Sequence, residues 1–203
     1  MEKENMKKAS VLIVVAFILG FVIGYAINQN NETKATAQFQ TNQKILQNSG
    51  FENNIEGELA YWFKAYIPEN NITMTYDTQT TYNGSRSVSI KKTANTEIND
   101  ESVNNNWAQT ISLVPIDRIV ELSGYVKTEN AETVVMVIQC WDENSNMAGF
   151  ATTESKDNIT GTSDWTKYRT SVRVPVETQH ITVRLVLVGT GQVWFDDVTL
   201  VVK

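Results

Sequence analysis

Four side chains with the right chemistry to hold a hydroxyl-rich ligand recur at alternating positions along three patterned segments: Tyr125, Gln139, Trp141 and Arg184. A sugar offers flat C–H patches rimmed by hydroxyls, so a binding face needs open aromatic rings beside amide or guanidinium groups. Alternation decides which residues face outward. In residues 120–127, Val120, Leu122, Gly124 and Val126 share the core side, which turns Tyr125 out with Ser123 and Lys127. In 180–188 the core set is Ile181, Val183, Leu185 and Leu187, leaving Thr182, Arg184 and Val186 outside. Gln139 and Trp141 share one face of 133–141, here taken as the outer one. As neighbours in one sheet these strands would form a cleft floor. The stretches Tyr61-Trp62-Phe63 and Asn105-Asn106-Trp107 would wall it, which adds Trp62 and Trp107 to the candidates.

Catalytic constellations are poorly represented. His180 is the single histidine, and there is no G-x-S-x-G or H-E-x-x-H motif and no phosphate-cradling glycine loop. The acidic pair Asp142-Glu143 falls in a turn-like run, where solvated turn residues are the simpler account. The expectation is a protein that is not an enzyme. Cys140 is the lone cysteine, so no intrachain disulfide forms. It ends an apolar run, as a small buried hydrophobe would.

The elements that carry these residues are strands. From residue 45 on, helical periodicity is absent, and short alternating runs lie between polar breaks rich in Asn, Gly and Thr. Clear strands are expected at 87–92, 107–114, 120–128, 133–141, 166–174, 180–188 and 193–202. A weaker one is expected at 69–76, and a short opening strand at 44–47. About nine strands without a helix predict an all-β, two-sheet antiparallel sandwich over residues 45–203.

The remainder of the chain has another character. Residues 11–27 form an uncharged apolar run of 17 residues, about 25 Å long as a helix, with Lys3, Lys7 and Lys8 before it. The positive-inside rule predicts a cytoplasmic tail at 1–10, a single-pass transmembrane signal anchor at 11–27, and everything beyond outside the cell. Ala35-Thr36-Ala37 has the small-x-small form of a cleavage site, so a secreted product is the alternative. Residues 28–44, rich in Asn, Gln and Thr, suit a flexible linker. Residues 45–203 carry a net charge of −8 against +2 for residues 1–44. A domain that acidic, with no basic run, has no field to attract nucleic acid.

Six phrases in the patterned region occur in a telling order. They are Leu46-x-Asn48-x-Gly50-Phe51-Glu52, Gly84-x-x-Ser87-x-x-Ile90, Trp107-x-Gln109-x-Ile111, Leu122-Ser123-Gly124-Tyr125-Val126-Lys127, Trp165-Thr166-Lys167-Tyr168 followed by Val174-Pro175, and Val193-Trp194-Phe195-Asp196-Asp197-Val198. The set resembles the galactose-binding-like jelly rolls that include the carbohydrate-binding modules appended to xylanases and β-glucanases. The resemblance covers about residues 45–203. It implies a jelly roll that binds a cell-wall or plant-type polysaccharide or oligosaccharide on a concave face. It also implies a structural calcium held by Glu52 and Asp196, with Asp197 as a further ligand and main-chain oxygens near 48–50 and 84–87 completing the shell. Asp196 could alternatively cap a turn or pair with Arg86. Two departures are expected: a module with no catalytic domain attached, and a connection at 95–106 longer and more polar than is usual in the family. The rival expectation is a structural or protein-interaction sandwich of the cell envelope with no sugar site.

Overall fold

A computed structural model describes residues 38–65, 71–93 and 105–203. The expected tail, anchor and cleavage site, most of the linker, most of the polar 95–106 connection, and the start of the weak 69–76 strand lie outside these residues.

The described chain is all-β apart from one 3₁₀ turn at Thr153–Ser155. Its strands are β1 (Asn54–Ile55), β2 (Glu58–Leu59), β3 (Phe63–Ala65), β4 (Ile72–Asp77), β5 (Ser87–Lys92), β6 (Asn105–Ile111), β7 (Ile119–Trp141), β8 (Met147–Thr152), β9 (Ile159–Arg173), β10 (His180–Val188) and β11 (Gly191–Val202). β1 and β2 form a small separate hairpin.

β7 organises everything else. The expected strands 120–128 and 133–141 are one continuous strand of 23 residues. Its first half pairs with β11 and chiefly with β9; its second half pairs with β10 and β8. Between the halves the β9 ladder slips repeatedly, and Asn130 takes a left-handed φ of 49°. Such irregularities bend a strand. The sheet therefore folds over β7 into a front layer, β3-β6-β10-β7-β8, and a back layer, β4-β5-β11-β7-β9. All ladders are antiparallel.

The core lies between the layers and contains every inward residue expected on β7 and β10. Val120, Leu122, Val126, Ile181, Val183 and Leu185 are sealed from solvent, and Leu187 very nearly so. Gly124 marks how closely the halves of β7 approach. A Cβ there would stand 2.9 Å from Val198 Cγ2 and 3.3 Å from Met136 Sδ, so only glycine leaves room. Cys140 is buried in this core, and burial pushes its thiol up to about 11, leaving an inert hydrophobe.

Two expectations about elements need correction. The stretch 44–47 supplies only an isolated bridge, Lys44 to Val201, and no strand. β8 was not expected at all, because Met-Ala-Gly-Phe-Ala-Thr has neither β-branched density nor clean alternation. Its place is set by the turn before it. Asp142 accepts hydrogen bonds from the backbone of Asn144 and Asn146 and from the Asn146 amide, which folds β8 back onto β7.

Candidate functional site

Strand register places a defined set of side chains on the outer surface of the front layer. His180, Trp141 and Met147 form one row; Thr110, Thr182, Gln139 and Phe150 the next; Phe63, Ala108, Arg184, Val137 and Thr152 the third. Asn106, Val186 and Val135 follow. The floor of this face is apolar, with Val135, Val137 and Val186 forming a small buried cluster separate from the main core.

Polar specificity on the floor is built around Arg184. Its Nε donates to Gln139 Oε1 at 2.7 Å and its Nη1 to Asn106 Oδ1 at 2.9 Å. The Asn106 amide in turn donates to the Ala65 carbonyl at 3.2 Å, which ties the edge strand β3 into the network. Thr110 and Thr182 add a hydroxyl pair 3.4 Å apart. Rings flank this floor. Phe63 on β3 and Phe150 on β8 are 47% and 52% exposed, leaving both rings open to contact. They stand near opposite edges of a five-strand layer, about 19 Å apart at the usual strand spacing. Trp141 lies stacked near parallel to His180, with ring centroids 6.4 Å apart. This is a surface with apolar rings at its margins and hydrogen-bonding groups between them, which is what a chain of sugar rings requires.

Of the six expected ligand residues, Gln139, Trp141 and Arg184 come together here. Tyr125 does not. It sits on the outer surface of the back layer, opposite Asp196 and Lys167 in register, and its ring is covered by Tyr82 at a centroid distance of 3.5 Å. Correct alternation put it outward, but the two halves of β7 face opposite sides of the sandwich. Trp62 and Trp107 are core residues, 5% and 2% exposed. Trp62 packs on Phe51 and donates to the Asn48 carbonyl, while Trp107 donates to the Ser89 carbonyl across the core. An indole N–H needs a partner inside a protein, and these bonds supply it. Phe150 was missed with its strand. Phe63 and Asn106 belong to the two stretches expected to wall the cleft, but the residues chosen from those stretches, Trp62 and Trp107, point into the core.

The carboxylates expected to hold calcium have a different setting. Residues 78–86 fold across the outer surface of the back layer and are pinned there by three acids. Asp77 accepts from the backbone of Gln79 and Thr80 and from Trp194 Nε1. Asp196, fully buried, accepts from the backbone of Tyr82 and Asn83 through Oδ2 and of Asp197 through Oδ1. Glu52 accepts from Ser85 N, Arg86 N and Ser85 Oγ, and its carbonyl takes the Arg86 guanidinium at 3.1 Å. Burial pushes the Asp196 carboxyl above its ordinary value of 3.8, and the three N–H donors offset this only in part. At Glu52 burial acts in the same upward direction, but the bonds from Ser85 and Arg86 outweigh it and hold the carboxyl below 4.5.

The oxygens can still accept a cation. A carboxylate has about four lone-pair positions, of which Glu52 and Asp196 each use three. Asp197 Oδ1 lies 3.6 Å from where a Gly50 Cβ would stand. A Cβ on Gly84, whose φ is +68°, would collide with the Glu52 carboxylate. Bare backbone beside spare carboxylate oxygens fits calcium, which takes carbonyl and carboxylate oxygen alike. Among the described residues no three acidic, His or Cys side chains already converge as a metal centre, so carbonyls would have to complete the shell.

No protein-family model and no curated protein matches the chain. Solved structures do. The enzymatically active domain of bacteriophage CBA120 tailspike protein 4 superposes with a TM-score of 0.59 at 15% identity, over 79% of this chain and 21% of that one. The CBM22-1 xylan-binding domain of Paenibacillus barcinonensis Xyn10C gives 0.58 at 13% identity, over 81% and 97%. The CBM22-1–GH10 modules of Clostridium thermocellum Xyn10B, solved with xylohexaose, give 0.57 at 17% identity, over 80% and 29%. The domain has the jelly-roll fold of carbohydrate-binding modules. This chain spans about a fifth of the tailspike chain and less than a third of the Xyn10B chain, but nearly the whole of the isolated xylan-binding domain.

Proposed function

We propose that the sandwich is a non-catalytic carbohydrate-binding module that takes a polysaccharide or oligosaccharide across the outer surface of its front layer. The observation that carries this reading is the half-buried Arg184–Gln139–Asn106 network on an apolar floor, flanked by the exposed rings of Phe63 and Phe150. Its support from outside is fold likeness to xylan-binding modules. Exposed rings would stack on sugar C–H faces, and the amides, threonine hydroxyls and guanidinium would meet ring hydroxyls. The full chain in detergent, tested on an array of neutral and acidic plant and bacterial wall glycans, should bind a defined subset. Binding should fall in Phe150→Ala and Trp141→Ala. An array blank at every position sinks the reading and favours the structural sandwich.

The sequence supports a further proposal about place. With residues 11–27 as an uncleaved anchor and lysines before it, the module would stand outside the membrane and hold the cell to its glycan. Protease added to intact cells should then digest the domain; complete protection would reject the orientation, and a mature terminus at Gln38 would mean secretion instead. Calcium is proposed as a structural ion at Glu52, Asp196 and Asp197, reinforcing the clamp on residues 78–86 without touching the ligand face.

A further inference from the structure

Arg184 presents a charge that the described protein does not neutralise. It is half-buried on the floor of the front layer, and both of its hydrogen bonds go to neutral amide oxygens. The side chains beside it in register, Ala108, Val137, Thr182, Val186, Gln139 and Asn106, include no acid. The ion pairs of the described residues all lie elsewhere, at Lys127–Asp164, Arg173–Asp117 and Lys203–Glu121. Guanidinium has five N–H donors, of which two are used, so a planar fork remains available to a ligand.

A ligand laid over this floor removes what water still reaches the guanidinium. Covering a cation with an uncharged partner leaves it desolvated and unpaired, which is costly; covering it with a carboxylate replaces the lost solvation by charge-assisted hydrogen bonds. Resting on the proposed front-face site, we infer that the preferred ligand is an acidic glycan, a chain of sugars bearing a uronate carboxylate that seats on Arg184. The flanking rings take the neutral sugars on either side. Gln139 and Asn106 fix the guanidinium through its two hydrogen bonds, which makes them positioning residues.

The test uses the full chain in detergent and two probes, a neutral β-linked xylo-oligosaccharide and the same backbone carrying one glucuronate branch, titrated by calorimetry. The acidic probe should bind about tenfold or more tighter in dilute buffer, and raising salt to about 0.5 M should remove most of that difference. Arg184→Gln should equalise the two probes, while Arg184→Lys should keep part of the preference. Should Arg184→Gln fail to fold, the preference and its salt dependence in the unaltered protein still decide. Equal affinity for both probes, or a preference that survives Arg184→Gln or high salt, overturns the acidic assignment while leaving sugar binding in place. Absence of binding to either probe and to the whole array removes the front-face reading itself.

Discussion

The two outer surfaces of this sandwich are built from the same strand, yet they have opposite fates. Along β7, Tyr125 and Lys127 face out from the back layer, while Gln139 and Trp141 face out from the front. Both surfaces carry aromatic rings, but the back is rich in basic groups such as Lys127, Lys167 and Arg169, while the front sets Arg184 among amides and apolar side chains. On the back, residues 78–86 fold over the sheet, seal Asp196, and lay Tyr82 on Tyr125. On the front, Phe63 and Phe150 are left about half exposed and Arg184 half-buried among neutral neighbours. What separates the structural face from the proposed binding face is a covering loop, and what fixes that loop is three carboxylates aimed at its backbone N–H groups.

The largest effect is therefore expected on the back. Asp196→Ala would remove the acceptor of three part-buried backbone N–H bonds, and each lost bond to a charged group costs on the order of 1–3 kcal/mol. We expect about 3–5 kcal/mol of stability to disappear in a denaturant titration, with glycan affinity unchanged for the fraction that stays folded. A variant as stable as the parent would mean that the loop is held some other way.

Calcium should sharpen the same contrast. An ion bound only to the folded state at a hundred times its dissociation constant would add roughly 2.7 kcal/mol. The melting temperature should rise with calcium and fall with chelator, and Glu52→Ala should abolish the response. Superimposable melting curves would leave the clamp working on N–H donors alone.

Acid should loosen the back before the front. The Glu52 carboxyl is held below 4.5 and that of Asp77 below 3.8; at both, burial works upward but is outweighed, at Asp77 by bonds from Trp194, Gln79 and Thr80. A depressed folded-state pKa gives stability that is complete above the unfolded value and lost as pH falls through the folded one. Asp196 has the opposite sign: its raised pKa means that its own contribution weakens as pH climbs through and above 3.8. Stability should thus fall below about pH 4, less steeply than Glu52 and Asp77 alone would give. Glu52→Gln should flatten that fall, and an unchanged acid limb would clear Glu52 of the role.

Much of this was legible in the chain. Strict alternation in 120–127 and 180–188 identified the core residues and the outward set correctly, because a period of two is imposed by the pleat itself. What alternation cannot carry is which outward surface a residue joins once a strand bends. The bend near Asn130 reverses the assignment of Tyr125 relative to Trp141, and its signal, a short polar break, looks like any hairpin. Nor does alternation tell an indole that points inward from one that points outward in a short edge segment: Trp62 and Trp107 were chosen for their chemistry, and their exposed neighbour Phe63 was passed over. β8 was invisible because it is held by Asp142 and the ladder to β7, with little intrinsic strand preference of its own.

The smallest expected effect on binding is the most direct test of the comparison. Phe150→Ala and Trp141→Ala should each weaken glycan binding by roughly 1–3 kcal/mol, the range of a binding hot spot. Phe150 is about half exposed, so its loss should cost little stability. Tyr125→Ala should do the reverse. Removing its ring breaks the stack with Tyr82 and the contact with the Lys167 ammonium 5.4 Å above it, at a cost of about 1 kcal/mol in stability. The proposed ligand face lies on the other layer, so affinity should stay within experimental error of the parent. Measured together by calorimetry and thermal melting, the three variants form a double dissociation. A Tyr125→Ala protein that melts normally but binds poorly would place the glycan on the back layer, and the covered surface would then have to be the one that opens.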